Sequence, residues 1–286
     1  MSAIVKRNLT LYFRNRSGVF FSLMGALISF VLYIVFLKSN IKAGWSNVPN
    51  TNQLLDTWLI AGTLTIAGIS TSLTSLSQMI KDKESHVDWD LSLTDVNKKG
   101  MAYAYVLSAS IVAFIMQFVL FWVMVAYFAW ADGLSMDWKV LPTTFCVMAV
   151  SSILATSVNQ LLLRFVKSVD SLSKISTLVG TASGFLVGTY IPLGTLPDSA
   201  QTVMKLTPGT YIASLYRQVM MDGSLADAFG KGTSQLLDFE QKMGVRIKLT
   251  SLMSLEDTWK MVAVLILIFL LFVRRQARKS AKVTNQ

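Results

Sequence analysis

The sequence predicts an all-α polytopic membrane protein with six transmembrane helices, an N-terminal amphipathic helix and extracellular helices between spans five and six. Its 286 residues are 53% hydrophobic and only 15% charged, and the mean hydropathy is +0.52. The apolar stretches lie at 18–37, 58–77, 104–131, 140–163, 175–196 and 261–273. The first five reach the roughly twenty residues of helix that cross a bilayer. The sixth is shorter, and its span must include the flanking Trp259 and Lys260.

The segment 1–17 precedes the first span and is amphipathic. Val5, Leu9 and Tyr12 share one helical face, and Arg7 and Arg14 lie on the opposite face. This pattern is typical of a helix in the membrane interface, with its basic face toward anionic headgroups. Ordinary basic sequence flanking a first span would account for the same residues equally well.

The distribution of basic residues predicts the orientation. Sixteen Lys and Arg residues lie in the two terminal segments and in the connections after spans two and four, against three in the other two short connections. Because Lys and Arg concentrate in cytoplasmic loops, both termini are predicted to be cytoplasmic. The long segment 192–258 is then extracellular.

The six spans lack an ionisable side chain at their centres. Ion-coupled transporters usually place Asp, Glu, His or Arg at that depth, so we expect any transport to draw its energy from elsewhere. Cys146 is the single cysteine, so it forms no disulfide within the chain, and His86 is the single histidine, which excludes a histidine metal cluster.

Span five carries a stripe of small residues. Gly180, Gly184 and Gly188 recur every fourth residue, which lets another helix approach closely. The stripe favours packing within the chain, and the sharper alternatives are a subunit interface or the lining of a central pathway.

The extracellular segment is divided by turn residues. Pro192 is expected to break span five, and Asp198 is expected to begin a short helix that ends at Lys205. A second helix is predicted over 210–221, ended by the Asp-Gly pair that follows it. The remaining insertion, 224–254, is polar and only weakly periodic.

The sequence argues against an enzyme. The fragment at 230–232 has neither the spacing nor the strand context of a phosphate-binding loop, and the spans offer no nucleophile with a base or paired aspartates. We therefore expect no catalytic residues, no metal and no cofactor on this chain. The basic residues behind the net charge of +10 lie mostly in the predicted inner connections and terminal segments. This distribution indicates that the positive charge binds membrane lipid and not nucleic acid.

The inner connection 81–99 is the most informative soluble piece. Its charges alternate in sign, and Val87 and Leu91 share a helical face near Trp89. Such a segment suits a short helix that docks on a partner or folds beneath the membrane.

Three regions together resemble one known family. They are the basic amphipathic segment 1–17, the charged connection after span two, and the run 184–197 with its Ile-Pro and Leu-Pro pairs. That run is followed by Pro-Gly-Thr-Tyr at 208–211 and then by Arg217. In this pattern and in its six spans, the chain resembles the permease subunits of type-2 ABC exporters, the bacterial drug-efflux and polysaccharide-export permeases. Two departures are Ser85, where the family often has Gly, and Val96, near where it often has Pro.

The resemblance implies an elbow helix at 1–17 and a six-span membrane domain at 18–286, in a bacterial inner membrane. It implies a separate ATP-binding subunit that carries ATP and Mg, and a second permease copy that is identical or homologous. The residues expected to couple to the ATPase are Lys81, Asp82, Lys83, Glu84, Val87, Asp88, Trp89 and Leu91. The pathway is expected to be lined by Thr63, Ser70, Thr74, Thr177 and Thr181, with the glycine stripe at or near the subunit contact.

An uncharged pathway favours hydrophobic or amphipathic cargo, such as a drug or a peptide antibiotic. Export of a lipid-linked glycan is the alternative within the family. Outside the family, an ATP-independent secondary transporter or channel, or a membrane scaffold that binds through the outer segment, remains open. Co-purification with an ATP-binding protein would separate these alternatives.

Overall fold

A computed structural model describes residues 1–45, 48–93, 96, 98–230 and 232–282, and the side chains of 92, 98 and 275–282 lie outside this description. Thr94, Asp95 and Asn97 of the predicted inner connection also lie outside it. Helices make up the regular structure of the described residues, with one isolated antiparallel bridge between Lys248 and Leu252.

Thirteen α-helices follow one another along the described chain. They are α1 (Ser2–Arg14), α2 (Arg16–Ser22), α3 (Met24–Leu32), α4 (Lys38–Gly44), α5 (Thr51–Glu84), α6 (Val87–Ser92), α7 (Lys98–Asp132), α8 (Leu141–Leu163), α9 (Val169–Leu186), α10 (Asp198–Lys205), α11 (Pro208–Phe229), α12 (Ser234–Lys242) and α13 (Leu255–Lys282). A π-helical segment, Tyr33–Leu37, joins α3 to α4, and short 3₁₀ turns occur at Trp138–Val140 and Leu193–Thr195.

Four helical stretches are long and apolar enough to cross a membrane. They are Met24–Gly44, Thr51–Glu84, Lys99–Asp132 and Trp138–Leu163, and they overlap the first four predicted spans. The prediction of an all-α membrane protein is therefore confirmed. The fifth and sixth predicted spans fall on helices, α9 and α13, whose crossing of the membrane stays a prediction.

Helix α5 is the centre of the fold, because it packs against α7, α8, α9 and α11. Leu59, Ile60 and Ala61 are fully buried on successive sides of it. Several of its hydroxyl groups bond within the helix; for example, Thr71 donates to the Ala67 carbonyl at 2.6 Å. The buried Thr63 hydroxyl has no hydrogen-bond partner among the described residues. A hydroxyl that is satisfied by its own helix can be buried without a large desolvation cost.

Helix α9 ends at Leu186, ten residues before the predicted end of span five. The break therefore precedes Pro192, and the prediction of a break at that proline was wrong. Gly188 has φ +70°, a conformation that glycine adopts without steric cost. The backbone amides of Thr189 and Tyr190 both donate to the Gly184 carbonyl, at 3.0 and 3.2 Å, which closes the helix end.

The helix predicted over Asp198–Lys205 is confirmed by α10, whereas the end predicted for the next helix is wrong. Helix α11 continues through the Asp-Gly pair at 222–223 to Phe229. Met221 and Leu225 lie on either side of that pair and are buried in the main core. This packing outweighs the roughly 1 kcal/mol that a glycine costs inside a helix.

The predicted insertion 224–254 is folded onto the helices. Phe239, Met243 and Val245 are at most 1% exposed, although hydrophobic residues are sparse in this part of the sequence. The Trp58 indole donates to the Met243 carbonyl at 2.7 Å. Since Trp58 lies in the first third of α5, the segment covers the N-terminal part of that helix.

Candidate coupling site and transport pathway

Asp82, near the C-terminal end of α5, is the centre of a buried polar cluster. Its carboxylate is 2% exposed and accepts two hydrogen bonds from the Arg7 guanidinium, at 2.8 and 2.9 Å. It also accepts from the Gln78 amide at 2.7 Å and from the Tyr105 hydroxyl at 2.5 Å. A bidentate pair of this kind is among the stronger and more directional polar contacts in proteins. The cluster joins α1, α5 and α7 at one point.

A second contact reinforces this junction. Asn8, which follows Arg7 in α1, is 3% exposed, and its amide donates to the Ser108 hydroxyl of α7 at 3.3 Å. The hydrogen bonds and the charge of Asp82 raise the pKa of the Arg7 guanidinium, although partial burial opposes this rise. The amphipathic helix is therefore fixed to the bundle by paired polar groups.

Glu84, two residues further on, contacts a different helix. Its carboxylate accepts a hydrogen bond from the Val169 amide at 2.6 Å, and Val169 is the first residue of α9. A carboxylate is stabilised at a helix N-terminus, where unpaired amides and the helix dipole are positive. The end of α5 is thus joined to α9 as well as to α1 and α7.

Helix α6 follows directly and has two different faces. Leu91 is half-buried and packs with Ile4 of α1 and Met101 of α7, whereas Trp89 is 66% and Leu93 87% exposed. A left-handed residue, His86 at φ 61°, makes the turn between α5 and α6. One face of this segment therefore folds against the bundle and the other faces outward, and docking on a partner stays a prediction.

The predicted coupling residues divide into two groups. Lys81, Lys83, Glu84 and Trp89 are exposed, and Glu84 also contacts the start of α9. Asp82 is buried, Val87 and Asp88 are half-buried, and Leu91 packs inward. The sequence pattern did not identify Arg7 as the partner of Asp82, because 75 residues separate them.

The predicted pathway residues also differ in their surroundings. Thr63 is fully buried, Ser70 and Thr74 are half-buried along α5, and Thr177 and Thr181 are exposed on α9. Helices α5 and α9 are in contact. The hydroxyls of Thr74, Thr177 and Thr181 each bond to a carbonyl of their own helix.

The three glycines of the stripe have separate roles within the chain. A Cβ atom on Gly184 would collide with the Tyr190 ring, and Gly188 makes the left-handed turn after α9. A Cβ on Gly180 would meet no atom within 4 Å, whereas one on Gly25 would lie 3.1 Å from the Gly180 carbonyl oxygen. The packing of Tyr190 on α9 thus depends on Gly184, and that of α3 on α9 depends on Gly25 and not on a missing side chain at Gly180.

At the N-terminal end of α5 a second ion cluster joins three helical segments. The Lys38 ammonium lies 2.8 Å from the Asp56 carboxylate and 2.6 Å from that of Asp132. The Tyr33 hydroxyl donates to Asp56 at 2.9 Å, and Asp56 is fully buried. The sequence placed Lys38 in an outer loop and gave Asp56 no role, since their proximity depends on the fold.

Arg217 of α11 is 1% exposed. Its guanidinium donates to the carbonyls of Gly244, at 3.1 Å, and Gly188, at 2.9 Å, and lies 4.7 Å from the centre of the Trp58 ring. Both carbonyls follow helix ends, α12 and α9, where a cation is favoured. Arg217 therefore holds three parts of the fold together without a carboxylate partner among the described residues.

These features define a multi-pass helical membrane protein whose N-terminal amphipathic helix is bonded to the segment between its second and third spans. Residues 37–274 match the model of the ABC-2 family transporter protein, and the chain belongs to that family. The predicted resemblance is thereby confirmed, and membership implies partnership with an ATP-binding subunit. No curated protein matches this sequence.

Proposed function

We propose that this chain is the permease subunit of an ATP-driven exporter and that α6 is the element on which its ATPase partner acts. The observation that carries the proposal is that α6 has an exposed apolar face and is also joined to the bundle, through Leu91 and through the end of α5. Trp89 of α6 and Leu93 directly after it are exposed apolar side chains, and Asp82 and Glu84 at the end of α5 connect this region to three other helices. Large exposed apolar side chains close together are typical of contact surfaces.

Movement of α6 would be transmitted by these contacts. Asp82 would move α1 through its ion pair and α7 through its hydrogen bond from Tyr105, and the Glu84 contact would move the start of α9. ATP binding on the partner then supplies differential free energy for two arrangements of the bundle. The family supports this mechanism, and the uncharged centres of the predicted spans agree with it.

We infer six spans in the complete permease. Helix α9, with 18 residues, and the apolar part of α13 add two to the four stretches described above, and 18 residues of helix extend about 27 Å. The distribution of basic residues supports cytoplasmic termini. We infer that the protein lies in a bacterial inner membrane. The ATP and Mg belong to the partner subunit.

A second permease copy is proposed to lie along the exposed face of α9. Thr177, Leu178 and Thr181 are exposed there, beside the half-buried strip of α5 that contains Ser70 and Thr74. A path between two such faces would offer hydroxyl groups and no fixed charge. That chemistry suits hydrophobic or amphipathic cargo, such as a drug or a peptide antibiotic.

The experiment is affinity purification of the tagged permease from its native cells in a mild detergent. We expect an ATP-binding protein to co-purify with the wild type, and the yield of that protein to fall at least tenfold with Trp89→Ala/Leu93→Ala. The matched control is Trp138→Ala, because Trp138 is 74% exposed but lies near the opposite end of the bundle. Absence of any ATP-binding protein, or equal capture by both variants, would refute the proposal.

A further inference from the structure

The outer segment contains a cavity that the proposed transport mechanism does not use. It has a volume of about 430 Å³ and lies between α11, α12 and the chain around 245–255. Pockets for small molecules typically have volumes of about 300–1,000 Å³. This space, called here the α11–α12 cavity, is therefore large enough for a small organic ligand.

Two carboxylates give the cavity its charge. Asp222 lines it from α11 and Glu240 lines it from α12. Among the described residues, Asp222 has no ion pair or hydrogen bond from its side chain, whereas Glu240 is paired with Arg246 at 3.2 Å. Among the described residues that line it, the cavity therefore has two carboxylates and one guanidinium, and the exposed Asp222 is the carboxylate without an ion pair.

Among the described residues, Arg246 forms its ion pair with Glu240 and forms none with Asp222. Besides Glu240, its guanidinium donates to the carbonyls of Met253, at 2.8 Å, and Leu252, at 3.1 Å, which fixes its position on one side. Burial raises the pKa of Glu240, Arg246 opposes this rise, and the charge of Asp222 adds to it. The charge of Asp222 thus disfavours the ionised form of Glu240, and a cation bound near Asp222 would offset that effect.

The rest of the wall is largely apolar. Leu225 and Val245 form buried parts of it, and Leu236 and Leu255 lie closer to solvent. These side chains would bury the hydrocarbon body of a ligand, with a gain of about 25 cal/mol for each Å² removed from water. A simple metal ion would leave this surface unused, and an anion would meet Asp222.

We propose that the α11–α12 cavity binds a small amphipathic cation, whose charged group lies between Asp222 and Glu240 and whose apolar body contacts the leucines. Such binding requires neither the ATPase nor transport. It adds a ligand site on the outer segment to the permease function proposed above.

The test uses the full-length permease in nanodiscs, without ATP or an ATPase subunit, so that failure of the transport proposal does not affect it. Binding of tetraphenylphosphonium is measured by isothermal titration calorimetry, with protein-free nanodiscs subtracted. Tetraphenylborate, which has the same shape and the opposite charge, is the matched ligand. We expect the cation to bind saturably with a Kd below about 1 mM. The anion should bind to the protein at least tenfold more weakly.

The variant Asp222→Asn should weaken binding of the cation about fivefold to tenfold, because one of two charges facing the ligand is lost. The matched controls are Asp227→Asn and Asp238→Asn, which make the same charge change on α11 and α12 outside the cavity wall. Both should leave the affinity within about twofold of the wild type. Lys231, next to Gly232 in the sequence, lies outside the described residues and is kept in every variant.

Glu240→Gln is a second test, accompanied by thermal unfolding because it leaves Arg246 without its ion pair. A folded Glu240→Gln variant should also lose affinity for the cation. Absence of saturable cation binding to the wild type, equal binding of both ligands, or equal losses in Asp222→Asn and Asp227→Asn would each overturn the proposal.

Discussion

Replacing Asp82 with Asn tests whether one buried carboxylate holds α1, α5 and α7 together. Asparagine keeps the shape of the side chain but removes the charge, and its amide nitrogen cannot accept the hydrogen bonds that Arg7 or Gln78 donates to Asp82 at 2.7–2.9 Å. We expect Asp82→Asn to lower both the stability of the permease and the coupling between ATP hydrolysis and transport.

The expected loss of stability in Asp82→Asn follows from how deeply Arg7 and Asp82 are buried. Removing one partner of a fully buried ion pair costs about 3–5 kcal/mol. The Arg7 side chain is 30% exposed, so water solvates part of the unpaired guanidinium, and we expect a loss of about 2–3 kcal/mol. For a chain of this size, that corresponds to a fall in the Tm of about 5–10 °C.

The assay is thermal unfolding of the purified protein, followed by tryptophan fluorescence, for both single variants and the double variant Arg7→Gln/Asp82→Asn. Because the two side chains contact each other, the double variant should lose at least about 1 kcal/mol less than the sum of the single losses. Asp90→Asn is the control, since Asp90 is exposed and carries the same charge. A Tm of Asp82→Asn equal to that of Asp90→Asn, or strict additivity, would refute the reasoning.

Two further predictions concern other contacts of the bundle. Gly184→Ala should cost about 1–3 kcal/mol, because the new methyl group overlaps the Tyr190 ring, whereas Gly180→Ala has open space and should be neutral or slightly stabilising; equal Tm values for the two variants would contradict the packing argument. Lys38→Met should cost about 3 kcal/mol, because it leaves the fully buried Asp56 without a cation. Thermal unfolding of Lys38→Met with a second substitution, Asp56→Asn, checks the cause, and failure of that substitution to restore stability would count against it.

The contact between Glu84 and α9 joins the end of α5 to the start of a helix 85 residues further along the chain. The bond to the Val169 amide places the carboxylate where the helix dipole is positive, which stabilises the contact. Deeper in the bundle, the Tyr216 hydroxyl donates to the Gln117 side chain at 2.7 Å, and the Gln117 amide donates to Ser152 at 2.8 Å. These contacts connect α11 to α7 and α8.

Much of the fold could be predicted from the sequence, because it depends on local composition. Long apolar runs define the first four spans, and the amphipathic pattern of Val5, Leu9 and Arg7 predicted the α1 helix. Asp198 following a proline predicted the start of α10. Family membership was recognisable for the same reason, since its motifs, such as the proline and tyrosine at 208 and 211, lie close together in the chain.

The candidate site was predictable only in part. The charged connection 81–99 falls on the end of α5, on α6 and on the start of α7, and its role in coupling stays a prediction. Its individual residues could not be sorted into buried and exposed ones from the sequence. Asp82 and Lys83 are adjacent in the sequence, yet the first is enclosed by Arg7 and Tyr105 and the second faces outward. That difference arises from the positions of α1 and α7, which no local pattern records.

The sequence by itself determined that this chain is a helical membrane protein and that its first four apolar stretches are long enough to cross the bilayer, because burial in lipid requires long apolar helices whatever their neighbours are. The tertiary structure alone decided where α9 ends, why α11 continues past its glycine and which partners the ionisable groups find. The ion pairs of Lys38 and Asp82 and the contacts of Arg217 join residues that are far apart in the chain. Their free energies depend on distance and burial, which exist only after the helices have packed.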